Sequence, residues 1–286
     1  MAADGLYDGD ALDDLSDHIG RAGSRLDRLD PGRLDREQVY NELRAHDRVA
    51  SRAPADGAEH RADGGWKWKG VELDPAANRI ADEALAIRRA AEGRDAEGNY
   101  AETGITPAMR QVEAGLEHGA LVADTERFAL KSPDRFKEKL AKLIARYPDQ
   151  PVGELAAAIH DGIRYTLLFP DKHYAAGVTE ATRLLSDRGY CLEQRKPSWD
   201  DADYRGVNCR WSDGTIEFEV QFHTPESWEA KQRTHDIYER LCDLRTTPQE
   251  RGRLEREQRE IASTIPVPPG ALDIEFYRRG GRGDRG

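Results

Sequence analysis

The chain has 286 residues, of which 34% are charged and 38% hydrophobic, and its formal net charge is −11. That balance argues against broad, non-specific binding to DNA, RNA or an anionic membrane, which depends on neutralising phosphates, but it leaves room for a local basic pocket. Cys191, Cys209 and Cys242 are scattered and form no CxxC pair, so neither a zinc ribbon nor a disulfide framework is expected.

The opening "MAADGLYDGDALDD" has no basic n-region or apolar h-region, and no apolar run reaches membrane-spanning length. A cytoplasmic protein of one large domain, or one to two medium ones, is therefore the expectation. Residues 1–65 are rich in Asp, Arg, Ala and Gly; Leu12, Leu15 and Ile19 have helical spacing, as do Val39 and Leu43, but the apolar stripes are thin. This reads as a polar, partly disordered or helical segment ending in the linker "SRAPADGAEHRADGG" at 51–65. Helices over 74–92 and 106–117 make residues 66–118 a helical lead-in.

From 119 the pattern changes. "KSPDRFKEKLAKLIAR" predicts a helix with Ser132 as N-cap, Pro133 at its first position, and Phe136, Leu140, Leu143 and Ile144 as a core face. "GIRYTLLF" at 162–169 reads as a strand, and "ATRLLSDRG" as a helix end with a glycine C-cap. "YRGVNCRW" at 204–211 and "TIEFEVQF", joined by the turn "SDG", predict a hairpin. A long helix should follow over about 225–245, and residues 247–286 read as a polar helix and a Pro/Gly-rich tail. Interleaved helices and strands make 119–246 an α+β domain, a mixed β-sheet flanked by helices, behind a polar, mainly helical N-terminal extension.

The chemistry-bearing residues fall within this domain. Arg135, Lys139, Lys142 and Arg146 occupy an arc of roughly 60° on the 131–146 helix, with Lys131 at its mouth. This is either a solvated basic face or a phosphate cradle at a helix N-terminus. Asp161 precedes one strand. Glu219 lies on the polar parity of "IEFEVQFH", with Glu217, Gln221 and His223. Two acids from neighbouring strands suit a divalent ion that also takes phosphate oxygens, such as Mg²⁺. Taken alone, Asp161 reads as a helix-to-strand turn residue and Glu219 as an exposed sheet position. Tyr204 is a base-stacking candidate or a core tyrosine. On the long helix, Trp228, Lys231, His235, Tyr238 and Cys242 share one face, and Ile237, Leu241 and Leu244 another.

In order and spacing, "KSPDRFKEK", "DGIRYTLLF", "YRGVN" and "FEVQFHT" resemble the RelA/SpoT-type nucleotide pyrophosphokinases, the alarmone synthetases. "RYTL" and "FEVQFHTPES" are similar to the actinobacterial nucleotide 3′-pyrophosphokinase branch. The resemblance covers residues 119–246 and implies a nucleotidyltransferase-like fold. It implies transfer of pyrophosphate from ATP to the 3′-hydroxyl of a purine nucleotide, with Mg²⁺ and release of AMP. It further implies Lys131 and Lys139 on ATP phosphates, Asp161 on the metal, Glu219 on the metal or as the base that takes the hydroxyl proton, and Tyr204 on the acceptor base. Arg135, Arg164, Gln221 and His235 would support the nucleotides. Ala129 stands where the family usually has an arginine, Asn208 where it has the histidine ending Y-R-S-L-H, and His223 where it has the arginine of E-I-Q-I-R-T.

Three rival readings remain. "HD" pairs at His46–Asp47, His160–Asp161 and His235–Asp236 raise an HD-type phosphohydrolase. Ala129 favours a non-catalytic nucleotide sensor. The same chemistry aimed at ATP, ADP or a tRNA 3′ end would make a toxin, although the acidic balance disfavours tRNA.

Overall fold

The computed structural model describes residues 57–93, 101–122, 128–234, 237, 240–241 and 246–280. Strands β1 (Glu59–His60), β2 (Trp66–Trp68) and β3 (Val71–Leu73) form a small antiparallel sheet. Helix α1 (Pro75–Glu92) starts at Asp74, whose side chain accepts from Ala77 N, and ends at Gly93 in the left-handed region. Helix α2 (Ile105–Gly115) and strand β4 (Ala120–Leu121) lead to α3 (Pro133–Arg146), then α4 (Val152–Ala157). Next come β5 (Arg164–Leu168), α5 (Tyr174–Asp187), β6 (Cys191–Pro197), β7 (Val207–Ser212), β8 (Glu217–His223), α6 (Pro225–Arg233), α7 (Pro248–Ser263) and β9 (Tyr277–Arg278).

The main sheet runs β4-β5-β8-β7-β6-β9. Among these described strands only β5 and β8 are parallel; the other neighbours are antiparallel. The expected α+β architecture with a mixed sheet flanked by helices is thus what the chain adopts. The expected hairpin is β7–β8. Asp213 closes its turn by accepting from Thr215 N at 2.7 Å and Ile216 N at 2.8 Å, and Gly214 takes φ 93°.

One face of the sheet is apolar. Tyr165 and Leu167 of β5, Val207, Cys209 and Trp211 of β7, and Phe218, Val220 and Phe222 of β8 pack with Tyr174, Val178, Ala181 and Leu185 of α5 and Ile105, Met109 and Val112 of α2. The other face is mainly polar, with Leu168 packed against Val122 and Trp228 on it, and carries the rows described below.

Several boundaries differ from the sequence expectation. Residues 59–73 are neither linker nor helix. Trp66 and Trp68 anchor a β-meander that buries against Phe136, Leu140 and Leu143 of α3, and Trp66 Nε1 donates to Asp134 Oδ1 at 2.8 Å. Two large aromatics supply enough burial for strands of only two or three residues. The strand expected at 204–211 starts at Val207, leaving Tyr204 in the preceding loop. β6 was not anticipated. The tail is not merely appended, because β9 pairs with β6 in register Gln194↔Arg278 and Arg195↔Tyr277. Helix α6 ends at Arg233 with Thr234 as C-cap. Of the expected helix to 245, Ile237 and Leu241 pack on Leu254 of α7; Leu244 lies outside the described residues, as do the N-terminal 56. No helix among the described residues is long and apolar enough to cross a membrane.

If the small sheet is an integral support of α3, Trp66→Ala should lower stability by about 3–5 kcal/mol in urea unfolding. Trp66→Phe, which keeps most of the packing and loses the Asp134 hydrogen bond, should cost less than half of that. A Trp66→Ala protein that unfolds at the wild-type urea concentration would contradict this role.

Candidate active site

The centre of the site is an ion cluster at the start of β5. Lys131 precedes Ser132, whose side chain accepts from Arg135 N and caps α3; Lys139 lies two turns further along. Both ammoniums reach the same carboxylate, Lys131 Nζ to Asp161 Oδ2 at 2.7 Å and Lys139 Nζ to Asp161 Oδ1 at 2.9 Å. The Asp161 side chain is 0% exposed. Burial alone would raise its pKa, but the two ammoniums overrule it and hold the carboxyl well below the usual range. Burial pulls Lys131 down to about 8 despite Asp161, with Lys139 and Arg164 adding to the depression.

Asp161 sits in a 3₁₀ turn, His160–Gly162, just before β5. Arg88 of α1 holds that turn. Its Nη2 donates to the carbonyls of Ala156 at 2.9 Å, Ala157 at 3.2 Å and Ile159 at 3.0 Å, while its guanidinium stacks on Phe136 at 5.0 Å. A Cβ on Gly162 would meet Arg88 Nε at 2.5 Å, so the glycine of "DGIR" makes room for this guanidinium. Sequence reasoning missed Arg88. The available signal was its place on the buried stripe Ala77, Ala81, Leu85, where a charge needs an internal partner.

Glu219 lies one strand over. Its N–H donates to Ile163 O at 2.9 Å, and its Cα is in register with Arg164. Residues in register share a sheet face, so Arg164, Glu219, Arg210 and Gln194 form one row across β5, β8, β7 and β6. Thr166, Gln221, Asn208 and Lys196 form the next. The β8 residues of this face are covered rather than wet, with Glu219 7% exposed, Gln221 2% and His223 0%, while Arg164, Arg210, Asn208 and Lys196 are half-buried. Lys231 of α6 donates to Gln221 Oε1, and Gln221 Nε2 donates to Glu219 Oε1, so a relay from α6 orients the glutamate. Lys231 also stands 4.6 Å from the Trp228 ring.

The remaining expected residues are placed less directly. Arg135 turns from Asp161 toward Glu138 at 3.2 Å and the Trp68 ring at 4.9 Å, and Lys142 also reaches Glu138, at 3.0 Å. The basic arc is therefore divided, with only Lys139 turned into the cluster. Tyr204 is 5% exposed; its hydroxyl donates to Asn208 Oδ1 at 2.8 Å and lies 2.9 Å from His223 Nε2. His223 Nδ1 lies 2.9 Å from Ser227 Oγ. A Cβ on Gly206 would meet His223 Cε1 at 2.8 Å, which accounts for the glycine in "YRGVN". His235 lies outside the described residues, as do the His46–Asp47 and His235–Asp236 pairs.

For Mg²⁺ the donor set fits in kind: two carboxylates from adjoining segments, Asp161 and Glu219, with basic side chains close by. Among the described residues no group of three or more His, Cys, Asp or Glu could enclose a metal, so phosphate oxygens or water would complete the shell.

No protein-family profile matches the chain, and no curated protein is similar to it in sequence. Solved structures similar in fold include smu.1046c from Streptococcus mutans UA159, at TM-score 0.37 and 14% identity over 66% of this chain and 87% of that one. Another is the small alarmone synthetase 1 from Bacillus subtilis, at TM-score 0.41 and 12% identity over 67% and 92%. A third is a GTP pyrophosphokinase family protein from Streptococcus pneumoniae, at TM-score 0.36 and 15% identity over 66% and 84%.

Asp161→Asn leaves two buried ammoniums without their carboxylate and should cost about 3–5 kcal/mol in urea unfolding. Adding Lys131→Met should return part of that loss, whereas independent, additive costs would show that the cluster is not coupled. A second expectation concerns acid. Burial, then Lys231 and Arg164, hold the His223 pKa well below its ordinary value. The unfolded chain takes up that proton first, so stability should fall as pH drops below about 6.5, by up to about 1.4 kcal/mol per pH unit. Comparing wild type with His223→Gln at pH 7.5 and 5.5 isolates this contribution, and equal acid sensitivity would refute it.

Proposed function

We propose that the chain transfers pyrophosphate from ATP to the 3′-hydroxyl of a purine nucleotide, releasing AMP, as its resemblance to the RelA/SpoT-type synthetases and their actinobacterial branch implies. The observation that carries the reading is the buried convergence of Lys131 and Lys139 on Asp161, one strand from an oriented Glu219.

In this reading the cluster is a resting state. A triphosphate offers the two ammoniums stronger anionic partners than one carboxylate, so Lys131 and Lys139 turn to phosphate oxygens and Asp161 is freed. Arg164 shares a sheet face with Glu219, and in this reading it would hold a further phosphate oxygen. Asp161 and Glu219 would hold Mg²⁺, which when bound neutralises charge on the transferring group. Glu219, fixed by Gln221 and Lys231, accepts the proton from the attacking hydroxyl. Little covalent chemistry is asked of the protein; positioning and charge do the work.

Ala129 keeps a second reading in view, a nucleotide sensor without turnover. Incubation of purified protein with ATP, Mg²⁺ and, in turn, GMP, GDP, GTP or an RNA 3′ end, followed by separation of nucleotides, distinguishes the two. The transferase releases AMP in step with a 3′-pyrophosphorylated product, and Glu219→Gln lowers the rate by about 10²–10⁴-fold without abolishing ATP binding. ATP binding with no AMP from any acceptor supports the sensor and overturns the transferase. Growth arrest on expression, relieved by Glu219→Gln, would assign the chemistry to a toxin.

A further inference from the structure

Among the described residues, helix α7 is held along one narrow line of side chains. Of its 16 residues only Leu254, Gln258 and Ala262 are buried, so a polar side chain sits at the middle of the contact line. Leu254 packs on Ile237 and Leu241, Ile261 is partly buried against that cluster and the main core, Gln258 Nε2 donates to Asp203 O at 3.3 Å, Arg259 faces Asp203 at 3.7 Å, and Glu250 pairs with Arg240. The segment after α7 is anchored far better. Ile265 and Ala271 belong to the main core, Arg195 Nε donates to Glu275 O at 3.0 Å, and β9 pairs with β6. The helix is therefore the part of the C-terminal segment with least to lose on lifting.

Beneath its C-terminal end lies a cavity of about 10 Å³, bordered by Tyr204, Arg205, Ser227, Lys231, Ile261 and Ile265. That is room for roughly one water molecule. The two sides differ in chemistry. The loop and α6 offer an aromatic ring, a guanidinium, an ammonium and a hydroxyl, while α7 covers them with Ile261 and Ala262. Arg205 Nε and Nη1 are buried and find no hydrogen-bond partner among the described residues. Two shielded donors of a half-buried guanidinium, left unpaired beside an apolar roof, make an imperfect interface, since buried polar groups are almost always paired. An aromatic ring beside unsatisfied cationic donors suits a ligand with a flat base and an anionic part.

We propose that α7 is an autoinhibitory cover over a nucleotide subsite. With the helix down, Ile261 and Ala262 stand where a purine nucleotide would lie; with it lifted, the base reaches Tyr204 and the anionic part reaches Arg205. This rests on the transferase reading and adds to it a gate on the acceptor side. The apparent affinity for acceptor is then the intrinsic affinity scaled by the lifted fraction.

The test uses the full chain with Cys191→Ser and Cys242→Ser, carrying Asp203→Cys and Arg259→Cys and joined by a short, reducible bis-maleimide. GTP binding is read by calorimetry, and AMP release is read with ATP and Mg²⁺. The crosslinked protein should bind GTP about tenfold or more weakly than the same protein after reduction. Leu254→Ala, which loosens the seam, should bind GTP about fivefold more tightly than wild type, and Arg205→Gln in that background should cancel the gain. Equal GTP affinity before and after reduction overturns the cover, and if AMP is still released the transferase reading stands. No GTP binding and no AMP in either state overturns both.

Discussion

One buried carboxylate shared by two ammoniums organises the site. Asp161 is removed from water, and so are most of Lys131 and Lys139, so none of the three charges is tolerable without the others. The surrounding structure is arranged to keep them together. Ser132 and Pro133 start α3 where Lys131 points at the turn, Arg88 ties the turn to α1, and Gly162 gives that arginine its space. A buried ion cluster of this sort is a weak source of net stability. Its value under the proposed function is that it is poised: two cations are held dry and close to where a polyphosphate would enter, with a weaker anion holding their place.

The sheet continues the same logic at a distance. Parallel pairing of β5 with β8 sets Arg164 beside Glu219, and antiparallel pairing of β7 with β8 adds Arg210 and Asn208. Across this face the side chains are polar yet mostly shielded, which calls for internal partners. Lys231, Gln221 and Glu219 satisfy one another in series, and Tyr204, His223 and Ser227 form a second chain behind them. Both chains end on α6, whose start is fixed by the reciprocal cap between Thr224 and Ser227. The helix after β8 is thus coupled to the orientation of the glutamate, and α7 packs against that same helix and loop.

Much of this was legible from residues alone where local chemistry is strong. The start of α3 follows from Ser132-Pro133, the β7–β8 turn from Asp213-Gly214, and the apolar parity of β8 from alternation. Other features were not. β6 reads "CLEQRKP" and buries only Gln194 fully, so it carries no period-two signal. Tyr204 sits in a run of residues that favour strands, but its hydrogen bonds to Asn208 and His223 hold it in the loop before β7. Alternation also cannot tell a polar face that meets water from one roofed by lysines and a tryptophan. Arg135 and Lys139 lie one turn apart on α3, yet Glu138 and Trp68 take the first while Asp161 takes the second. Glu138 is a local i+3 partner, but Trp68 and Asp161 lie about 70 and about 20 residues away, beyond any local pattern.

The central claim is an exchange of partners, and a crystal structure of the protein with Mg²⁺ and a non-hydrolysable ATP analogue examines it directly. The expected result is the Nζ atoms of Lys131 and Lys139 on phosphate oxygens, and the Asp161 carboxylate released from both. A nucleotide seated elsewhere, with both lysines still gripping Asp161, would contradict it.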